Sequence, residues 1–325
     1  MNYERQYIQY KRRIERYLRG IARQPEPDSL FIPARYVLAA GGKRIRPMLV
    51  LLSCAAVRGR AQDALHAAAA VEILHNFTLV HDDIMDNADT RRGKPTVHRK
   101  WDTNVAILVG DAMLGFAYRA LLRSPNGNAL RVASLLTKAY IDVCIGQALD
   151  KEFETRVIVS TDEYLEMIAL KTGRLISAAM EIGATIGGAT RAEFRALQSF
   201  GNHLGRAFQI QDDLLDVVAD ERAFGKTIGG DIVEGKKTFL LLHALEHATG
   251  TARQLLLRIA RKKNVGKDLV ENVREVYMYT GAVEAAHRFI ARDTNAARTA
   301  LRKLGNSTSR SMLLWMTDML ERRLF

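Results

Sequence analysis

The chain has 325 residues, of which 48% are hydrophobic and 26% are charged, as in ordinary globular proteins. Its net charge of +12 suggests nucleic-acid binding, but the basic residues are scattered and no aromatic residues alternate with them, so we expect no nucleic acid. Small polyanions or an anionic membrane surface explain the excess as well. The two cysteines give no disulfide framework, and the longest stretch without a charged residue, Pro47–Val57, is too short to span a bilayer. We therefore expect a cytoplasmic protein without a transmembrane segment.

Nearly the whole chain has the residue spacing of α-helices. The pair Gly41-Gly42 is predicted to end one helix, and Leu65–Val80 is predicted to form another. Breaks are predicted at Arg92–Pro95 and at Ser124–Asn128, which are rich in residues that favour turns.

Two capping boxes predict where later helices begin. Ser160 with Glu163, and Thr190 with Glu193, should open helices that run to about residues 187 and 220. The only β-like run, Val157–Val159, is too short for a sheet. No linker or change of composition divides the chain, so we predict one all-α domain over residues 1–325.

The pattern Asp-Asp-x-x-Asp occurs twice, at Asp82–Asp86 and at Asp212–Asp216, each at the end of an apolar helical run. The outer carboxylates lie at i and i+4, on one face of a helix, whereas the middle one is rotated away. Two carboxylates that close repel each other unless a cation neutralises them, and oxygen ligands without cysteine favour Mg²⁺. One such motif is typical of a solvated helix end. Two copies favour a Mg²⁺ site.

Basic residues near these motifs are candidate phosphate ligands. Lys43, Arg44 and Arg46 lie at a predicted helix start, where backbone N–H groups also attract anions. Arg91 and Arg92 follow the first motif by five residues. Guanidinium groups match phosphate oxygens bidentately, so their position beside the carboxylates favours phosphate binding over a solvated surface.

The helix that contains Lys171, Thr172 and Gly173 is predicted to kink there and to expose backbone carbonyls. Gln209 lies three residues before Asp212, on the same helical face. These polar groups are candidates for stabilising charge in an otherwise apolar site.

A glycine-rich loop, Phe224–Lys237, follows the second motif and carries Lys226 and Lys236. It is predicted to act as a lid that brings charge to a phosphate. His75 lies two turns before Asp82 on the same helix face, and an ordinary core histidine is an equal alternative there.

With these motifs in this order, the chain resembles the trans-prenyltransferases, also called polyprenyl or isoprenyl diphosphate synthases, and among them the short-chain farnesyl and geranylgeranyl diphosphate synthases. The matching segments are Gly41–Pro47, Leu74–Asp86, Arg91–Gly93, Gly110–Asp111, Lys171–Gly173, Phe208–Asp213 and Gly235–Lys236. The resemblance implies a single-domain, all-α bundle of the isoprenoid-synthase type around a deep central cavity, with the acidic motifs facing each other across its mouth. It also implies a homodimer.

The resemblance further implies a role for each matching residue. Three Mg²⁺ ions would bridge the aspartates to the diphosphate of an allylic substrate. The principal metal ligands would be Asp82, Asp86 and Asp212, and the supporting ones Asp83, Asp213 and Asp216. The ligands of the allylic diphosphate would be Arg91, Lys171 and Lys236, with Lys226 beside them. The ligands of isopentenyl diphosphate would be Lys43, Arg46, His75 and Arg92.

The implied reaction is head-to-tail condensation by ionisation, condensation and elimination. The allylic substrate would be dimethylallyl, geranyl or farnesyl diphosphate, and its cation would be stabilised by Thr172, Gln209 and the Lys171 carbonyl. The released diphosphate would remove the final proton, so no general base is expected.

Other functions explain the sequence less completely. A terpene cyclase has no need of a second diphosphate site, a head-to-head synthase lacks these paired motifs, and a non-catalytic synthase subunit tends to lose aspartates that are all present here. A longer-chain polyprenyl synthase is a further alternative.

Residues one and two turns before Asp82 should line the depth of the site. The resemblance implies that an aromatic residue at this place acts as the floor, which would be Phe77, whereas the small Thr78 lacks the second aromatic plug that farnesyl-specific members of the family often carry. This pattern favours a C20 product, geranylgeranyl diphosphate, over the C15 farnesyl diphosphate. The alternatives are that Phe77 only packs the core, or that Met113 and Phe116 close the cavity instead.

Overall fold

Helices make up almost all regular structure in the computed structural model, which describes residues 2–23, 26–125, 128–218, 229–261, 266 and 269–321. In the first half these are α1 (Tyr3–Ile21), α2 (Asp28–Leu38), α3 (Ile45–Ala56), α4 (Leu65–Met85), α5 (Val97–Lys100), α6 (Thr103–Leu121) and α7 (Ala129–Thr155). There follow α8 (Thr161–Ile168), a π-helical segment (Ala169–Gly173), α9 (Arg174–Ile186), α10 (Arg191–Val218), α11 (Gly230–Glu234), α12 (Phe239–His247), α13 (Gly250–Arg261), α14 (Val270–Tyr279), α15 (Ala282–Leu301) and α16 (Thr308–Glu321). The predicted all-α class is confirmed.

The chain divides into two compact units. The first unit contains residues 1–140, 178–198 and 303–313, and the second contains residues 141–177, 199–302 and 314–325. The expectation of one domain over residues 1–325, built around a central cavity, stays a prediction.

In the first unit, α4 packs against α3 and α6. Its buried run begins with four alanines, Ala67–Ala70, which are 0% exposed and allow close helix packing. The predicted helix Leu65–Val80 is confirmed and continues to Met85, so the first two aspartates of the first motif lie in its last turn.

The predicted break at Arg92–Pro95 is part of a small hairpin. Thr90–Arg91 pairs antiparallel with Lys94–Pro95. Arg92 (φ 54°) and Gly93 (φ 72°) both have positive φ, as in the tight turns that connect two strands. The sequence analysis did not anticipate these two short strands.

In the second unit, the described residues form an apolar core that joins α7, α8 and α10–α15. The capping box of Ser160 and Glu163 opens α8 as predicted. The helix departs from regular α-helical geometry at Lys171–Gly173, because these residues belong to the π-helical segment, but the predicted kink with exposed carbonyls stays a prediction. Gly205 of α10 lies against this segment, since a Cβ there would be 2.5 Å from the Gly173 Cα.

Two predictions about element ends need comment. The capping box of Thr190 and Glu193 is present at the start of α10. The lid segment Phe224–Lys237 is only partly described, and its residues Gly230–Glu234 form the short helix α11 rather than a loop. Lys226 lies outside the described residues.

Two described helices, α6 and α7, are long and apolar enough to cross a membrane when only length and composition are considered. The relevant segments are 44% and 28% buried within the protein, and core helices of globular proteins satisfy the same criteria. The expected absence of a transmembrane segment stays a prediction.

Candidate active site

The first acidic motif lies at the C-terminal end of α4. Asp82 and Asp83 belong to its last turn, and Asp86 follows as the cap. The Asp86 N–H donates to the Asp82 carbonyl at 2.8 Å, so the helical spacing continues through the motif. Asp82 is partly exposed and Asp86 is exposed, whereas Asp83 is buried. The two outer carboxylates are therefore the accessible ones.

Arg91 of the hairpin neutralises the middle carboxylate. Its Nε donates to Asp83 Oδ1 at 2.8 Å, and its Nη2 lies 3.5 Å from Asp82 Oδ2. Burial raises the pKa of Asp83, and the contact with Arg91 opposes that shift. Arg91 thus holds together two of the aspartates that the sequence analysis assigned to metal binding.

Arg46 and His75, both predicted substrate ligands, are in direct contact. Arg46 Nη1 lies 3.2 Å from His75 Nε2, and because arginine can only donate, this Nε2 is the acceptor. Burial, followed by the charges of Arg46, Arg92 and other arginines nearby, lowers the pKa of His75 well below its usual value. His75 is therefore neutral with its proton on Nδ1, and the local excess charge is positive.

Arg92 joins the hairpin to the loop that carries Lys43. Its Nη1 donates to the Gly41 carbonyl. Its guanidinium packs against Gly42, where a Cβ would lie 3.0 Å from the Arg92 Cζ. The structure thus links the hairpin, the predicted phosphate loop and α4 within the first unit.

Arg44, which the sequence analysis placed among the candidate phosphate ligands, is instead the buried anchor of this loop. Arg44 donates to Glu72 Oε1 at 2.6 Å and to the Leu38 carbonyl at 2.9 Å, and the side chains of the Arg44–Glu72 pair are 1% and 3% exposed. Asn76 donates to the same Glu72 oxygen at 3.1 Å. Arg44 has a positive φ of 54°, a conformation that costs energy for arginine and that these contacts hold in place. The sequence indication of this anchor was a third basic residue, Arg44, between the predicted ligands Lys43 and Arg46.

Phe77, the predicted floor, is 4% exposed. Its ring makes edge-on contacts with His81, at 4.8 Å between centroids, and with Tyr140, at 5.5 Å. The Thr78 hydroxyl donates a hydrogen bond of 2.9 Å to the His75 carbonyl in the preceding turn. Phe77 is therefore fixed by two other rings.

The alternative floor residues lie in α6. Met113 is fully buried, and the ring of Phe116 stacks on that of Phe31 at 5.9 Å.

The second acidic motif lies inside α10, and the described partners of its middle aspartate are neutral groups. The buried Asp213 accepts from Gln209 Nε2 at 3.0 Å, from the Tyr164 hydroxyl and from the Phe239 N–H at 3.3 Å. Burial and then the charge of Asp231 raise the pKa of Asp213 to about 7. Tyr164 and Phe239 were not identified from the sequence, because they lie far from the motif along the chain.

The π-helical segment presents two predicted catalytic residues. Thr172 donates to Gln209 Oε1 at 2.7 Å, which extends the hydrogen-bonded chain from Asp213. Lys171 forms an ion pair of 2.6 Å with Asp150 of α7. Thr172 and Gln209 are therefore connected to the second motif by hydrogen bonds, and Lys171 precedes Thr172 in the same unit.

Asp216 orients the segment that follows it. Its Oδ2 accepts from the Asp231 N–H at 2.9 Å at the start of α11. Lys236 lies 3.4 Å from the Asp231 carboxylate and 2.8 Å from that of Glu234. Asp231 is thus a further acidic group beside the motif that the pattern search did not identify.

Among the described residues, no group of three or more His, Cys, Asp or Glu side chains is arranged so that it could hold a metal ion. The carboxylate oxygens of the two acidic motifs stay the candidate metal ligands because hard cations such as Mg²⁺ prefer oxygen.

A family model described as polyprenyl synthetase matches residues 27–277. The chain belongs to the polyprenyl synthetase family. It is a prenyltransferase, and the family predicted from the motifs is confirmed.

The similar proteins are synthases of the same kind, but their names indicate products of different length. A short chain isoprenyl diphosphate synthase from Methanothermobacter thermautotrophicus is 41% identical over 293 residues, which is 90% of each chain. The crystal structure of geranylgeranyl pyrophosphate synthetase from Pyrococcus horikoshii has a TM-score of 0.94 and 39% identity, covering 99% of this chain and 100% of that one. A decaprenyl diphosphate synthase from Rhodobacter capsulatus has a TM-score of 0.91 and 31% identity, covering 99% and 98%. The fold is therefore shared by enzymes of very different product length.

Proposed function

We propose that this prenyltransferase condenses isopentenyl diphosphate with an allylic diphosphate and releases a C20 all-trans product, geranylgeranyl diphosphate. The observation that carries the product length is the buried Phe77 ring, one turn before the first acidic motif. The names of the relatives from Methanothermobacter and Pyrococcus support a short chain. Because a decaprenyl synthase has the same fold, the argument for C20 depends on local side chains rather than on the backbone.

Mg²⁺ fits the accessible groups of both motifs. Asp82, Asp86 and Asp212 offer partly or fully exposed carboxylates without sulfur or imidazole, which is the donor set that Mg²⁺ prefers. Mg²⁺, when bound, would neutralise the departing diphosphate and so ease cleavage of its C1–O bond. We also propose that three Mg²⁺ ions bind and that Asp83, Asp213 and Asp216 support the principal metal ligands.

The allylic diphosphate would be bound by Arg91, Lys171 and Lys236. Each of these cations is held by a carboxylate: Arg91 by Asp83, Lys171 by Asp150 and Lys236 by Glu234 and Asp231. Such pairs keep the charged groups oriented, and binding of a diphosphate would replace or share the carboxylate contacts. The role of Lys226 beside them stays a prediction.

The allylic cation would be stabilised by dipoles rather than attacked by a nucleophile. The hydrogen-bonded chain of Thr172, Gln209 and Asp213 fixes the orientation of the amide and the hydroxyl. Preorganised dipoles of this kind lower a barrier because they need no rearrangement as charge develops. The Lys171 carbonyl belongs to the same π-helical segment.

Isopentenyl diphosphate would be bound by Lys43, Arg46, His75 and Arg92. The neutral His75 accepts from one N–H group of Arg46, and the same guanidinium carries further N–H groups that match phosphate oxygens. The positive excess around it favours an anion there.

We also propose that the protein forms a homodimer in the cytoplasm. Four large apolar side chains of the first unit are exposed on α6 and at the ends of the α6–α7 connection: Ile107, Leu108, Leu122 and Leu130. Exposed apolar side chains in such number support a protein partner. The free thiols of Cys54 and Cys144 suit a reducing compartment. Light scattering should give twice the chain mass, and a monomer would contradict the proposal.

The decisive experiment is to incubate the purified protein with Mg²⁺, isopentenyl diphosphate and, in turn, dimethylallyl, geranyl and farnesyl diphosphate. Chromatography of the dephosphorylated alcohols should show a C20 alcohol from each primer. Products of C30 or longer would show a long-chain synthase, cyclic hydrocarbons a terpene cyclase, and no product a non-catalytic subunit.

A further inference from the structure

Helix α1 carries a line of arginines on its outer face. We call Arg5, Arg12, Arg16 and Arg19 the arginine stripe, and all four are exposed. Their spacing of seven, four and three residues keeps them on one side of an α-helix, over a length of about 21 Å. Neither the fold nor the proposed reaction accounts for this stripe.

The stripe is held rigidly, because the opposite face of α1 is anchored. Ile14 and Leu18 are 0% and 1% exposed. The Tyr17 hydroxyl lies 2.7 Å from His66 Nδ1, and Arg119 donates to the Ile21 carbonyl at 3.1 Å. The stripe is therefore a fixed surface and not a mobile basic tail.

The local charge is strongly unbalanced. Between residues 3 and 23 there are seven Lys or Arg residues and two Glu residues, so this segment supplies five of the twelve net positive charges. Within the described parts of the chain, none of the four guanidinium groups of the stripe pairs with a carboxylate. An external anion is the natural partner of such a surface.

The length of the arginine stripe indicates which class of anion it can bind. A small polyanion cannot contact groups spread over about 21 Å, so the partner must be an extended anionic surface. The outward side of α1 also exposes Ile8, at 41%, and no aromatic ring lies within the stripe on which a base could stack. A row of arginines with an apolar neighbour on an amphipathic helix is typical of contact with anionic lipid headgroups.

We propose that the arginine stripe of α1 docks the protein on an anionic bilayer surface. The contact is electrostatic and peripheral, because the apolar face of α1 is already used to pack against the first unit. The Tyr7 hydroxyl of the same helix donates to the Lys43 carbonyl, so the docked helix is joined to the loop of the proposed diphosphate ligands. The docking itself does not depend on the proposed product.

The test is sedimentation of the full-length protein with vesicles. Vesicles that contain phosphatidylglycerol should bind the protein at 50 mM salt and lose it by 500 mM, whereas pure phosphatidylcholine vesicles should not bind it. The triple variant Arg12→Gln, Arg16→Gln, Arg19→Gln should bind anionic vesicles about tenfold more weakly or worse. Circular dichroism and turnover with soluble substrates should stay unchanged.

A matched control removes the same charge elsewhere. Arg191, Arg195 and Arg302 are exposed and lie outside α1, and their triple change to Gln should alter vesicle binding less than twofold.

Three results would overturn the proposal. They are equal losses in both triple variants, binding to neutral vesicles that resists salt, and binding to RNA with the same dependence on the stripe but without binding to vesicles. Fluorescence anisotropy with a labelled single-stranded RNA and a duplex RNA provides the last measurement.

Discussion

Asp83 and Asp213 occupy the same middle position of the two acidic motifs, but different groups satisfy their carboxylates. Asp83 is paired with the guanidinium of Arg91, which reaches it from a hairpin. Asp213 receives three hydrogen bonds from neutral groups, among them the Tyr164 hydroxyl and the Gln209 amide. One middle carboxylate is thus neutralised by charge, whereas the described partners of the other are dipoles.

This difference shows which part of the repeated motif is determined locally. The i and i+4 spacing places the outer aspartates on one helix face in both copies, whatever surrounds them. The middle residue turns towards the protein, where its partner comes from another element. The same residue at the same motif position therefore has a different electrostatic environment in the two copies, and four experiments test this difference.

The largest effect should come from the outer carboxylates, where the two motifs are expected to behave alike. Asp82→Ala and Asp212→Ala should each lower turnover by about a thousandfold, because each removes an expected Mg²⁺ ligand. The fold should survive, since removing one of several like charges relieves repulsion. Steady-state kinetics with circular dichroism measures both quantities.

Asp89→Ala is the matched control, since its side chain is 80% exposed and pairs with Arg99 outside the motifs. Its turnover should stay within about twofold of the wild type. Near-normal turnover in either motif variant would remove that motif from the active site.

Substitutions in the helical turns that precede the two motifs should have different effects, one on product length and the other on turnover. Phe77→Ala should lengthen the products to C25 and beyond, because the ring fills volume that further C5 units need. Gln209→Leu should keep the C20 product but lower turnover by about tenfold to a hundredfold, because it removes an oriented dipole. Chromatography of the dephosphorylated alcohols distinguishes the two effects.

Phe116→Ala tests the alternative floor in the same assay. Longer products from this variant, together with an unchanged distribution from Phe77→Ala, would place the floor at α6 instead.

The middle aspartates should differ in their effect on stability. Asp83→Asn leaves the partly exposed Arg91 without its nearest carboxylate and should cost about 1–2 kcal/mol. Asp213→Asn should cost less than about 1 kcal/mol, because the Gln209 amide can rotate to accept from the new amide while Thr172 accepts from it in turn. Urea unfolding at pH 5 without divalent cations measures the free energies. A larger loss in the Asp213 variant would contradict the distinction.

The middle aspartates should also differ in their effect on pH dependence. The pKa of Asp213 is raised to about 7, chiefly by burial, whereas an unfolded aspartate has a pKa of about 3.9. The folded protein therefore binds more protons between these values, and the free energy of unfolding falls as pH rises from about 4 to 7. Asp213→Asn lacks this group, so its stability relative to the wild type should rise over that range and level off above it. Urea unfolding from pH 4.5 to 8 gives the slopes, and equal slopes would show that Asp213 ionises normally.

Much of the fold could be predicted because its signals are local. The capping box at Ser160, the irregular helix at Lys171–Gly173 and the end of α2 before Gly41 each depend on a few adjacent residues. The partners of the candidate site could not be predicted in this way. Tyr164 reaches Asp213 across 49 positions, and Tyr7 reaches Lys43 across 36.

The amino-acid order determines the helical elements, the spacing of the outer aspartates and the family, because these follow from short-range geometry and from motifs in a fixed order. Packing determines which carboxylate meets a cation, that Arg44 is buried with Glu72 rather than facing a substrate, and which rings fix Phe77. These outcomes depend on the burial of charge and on contacts between elements that are distant in sequence. The free energy of such contacts cannot be read from any short segment of the chain.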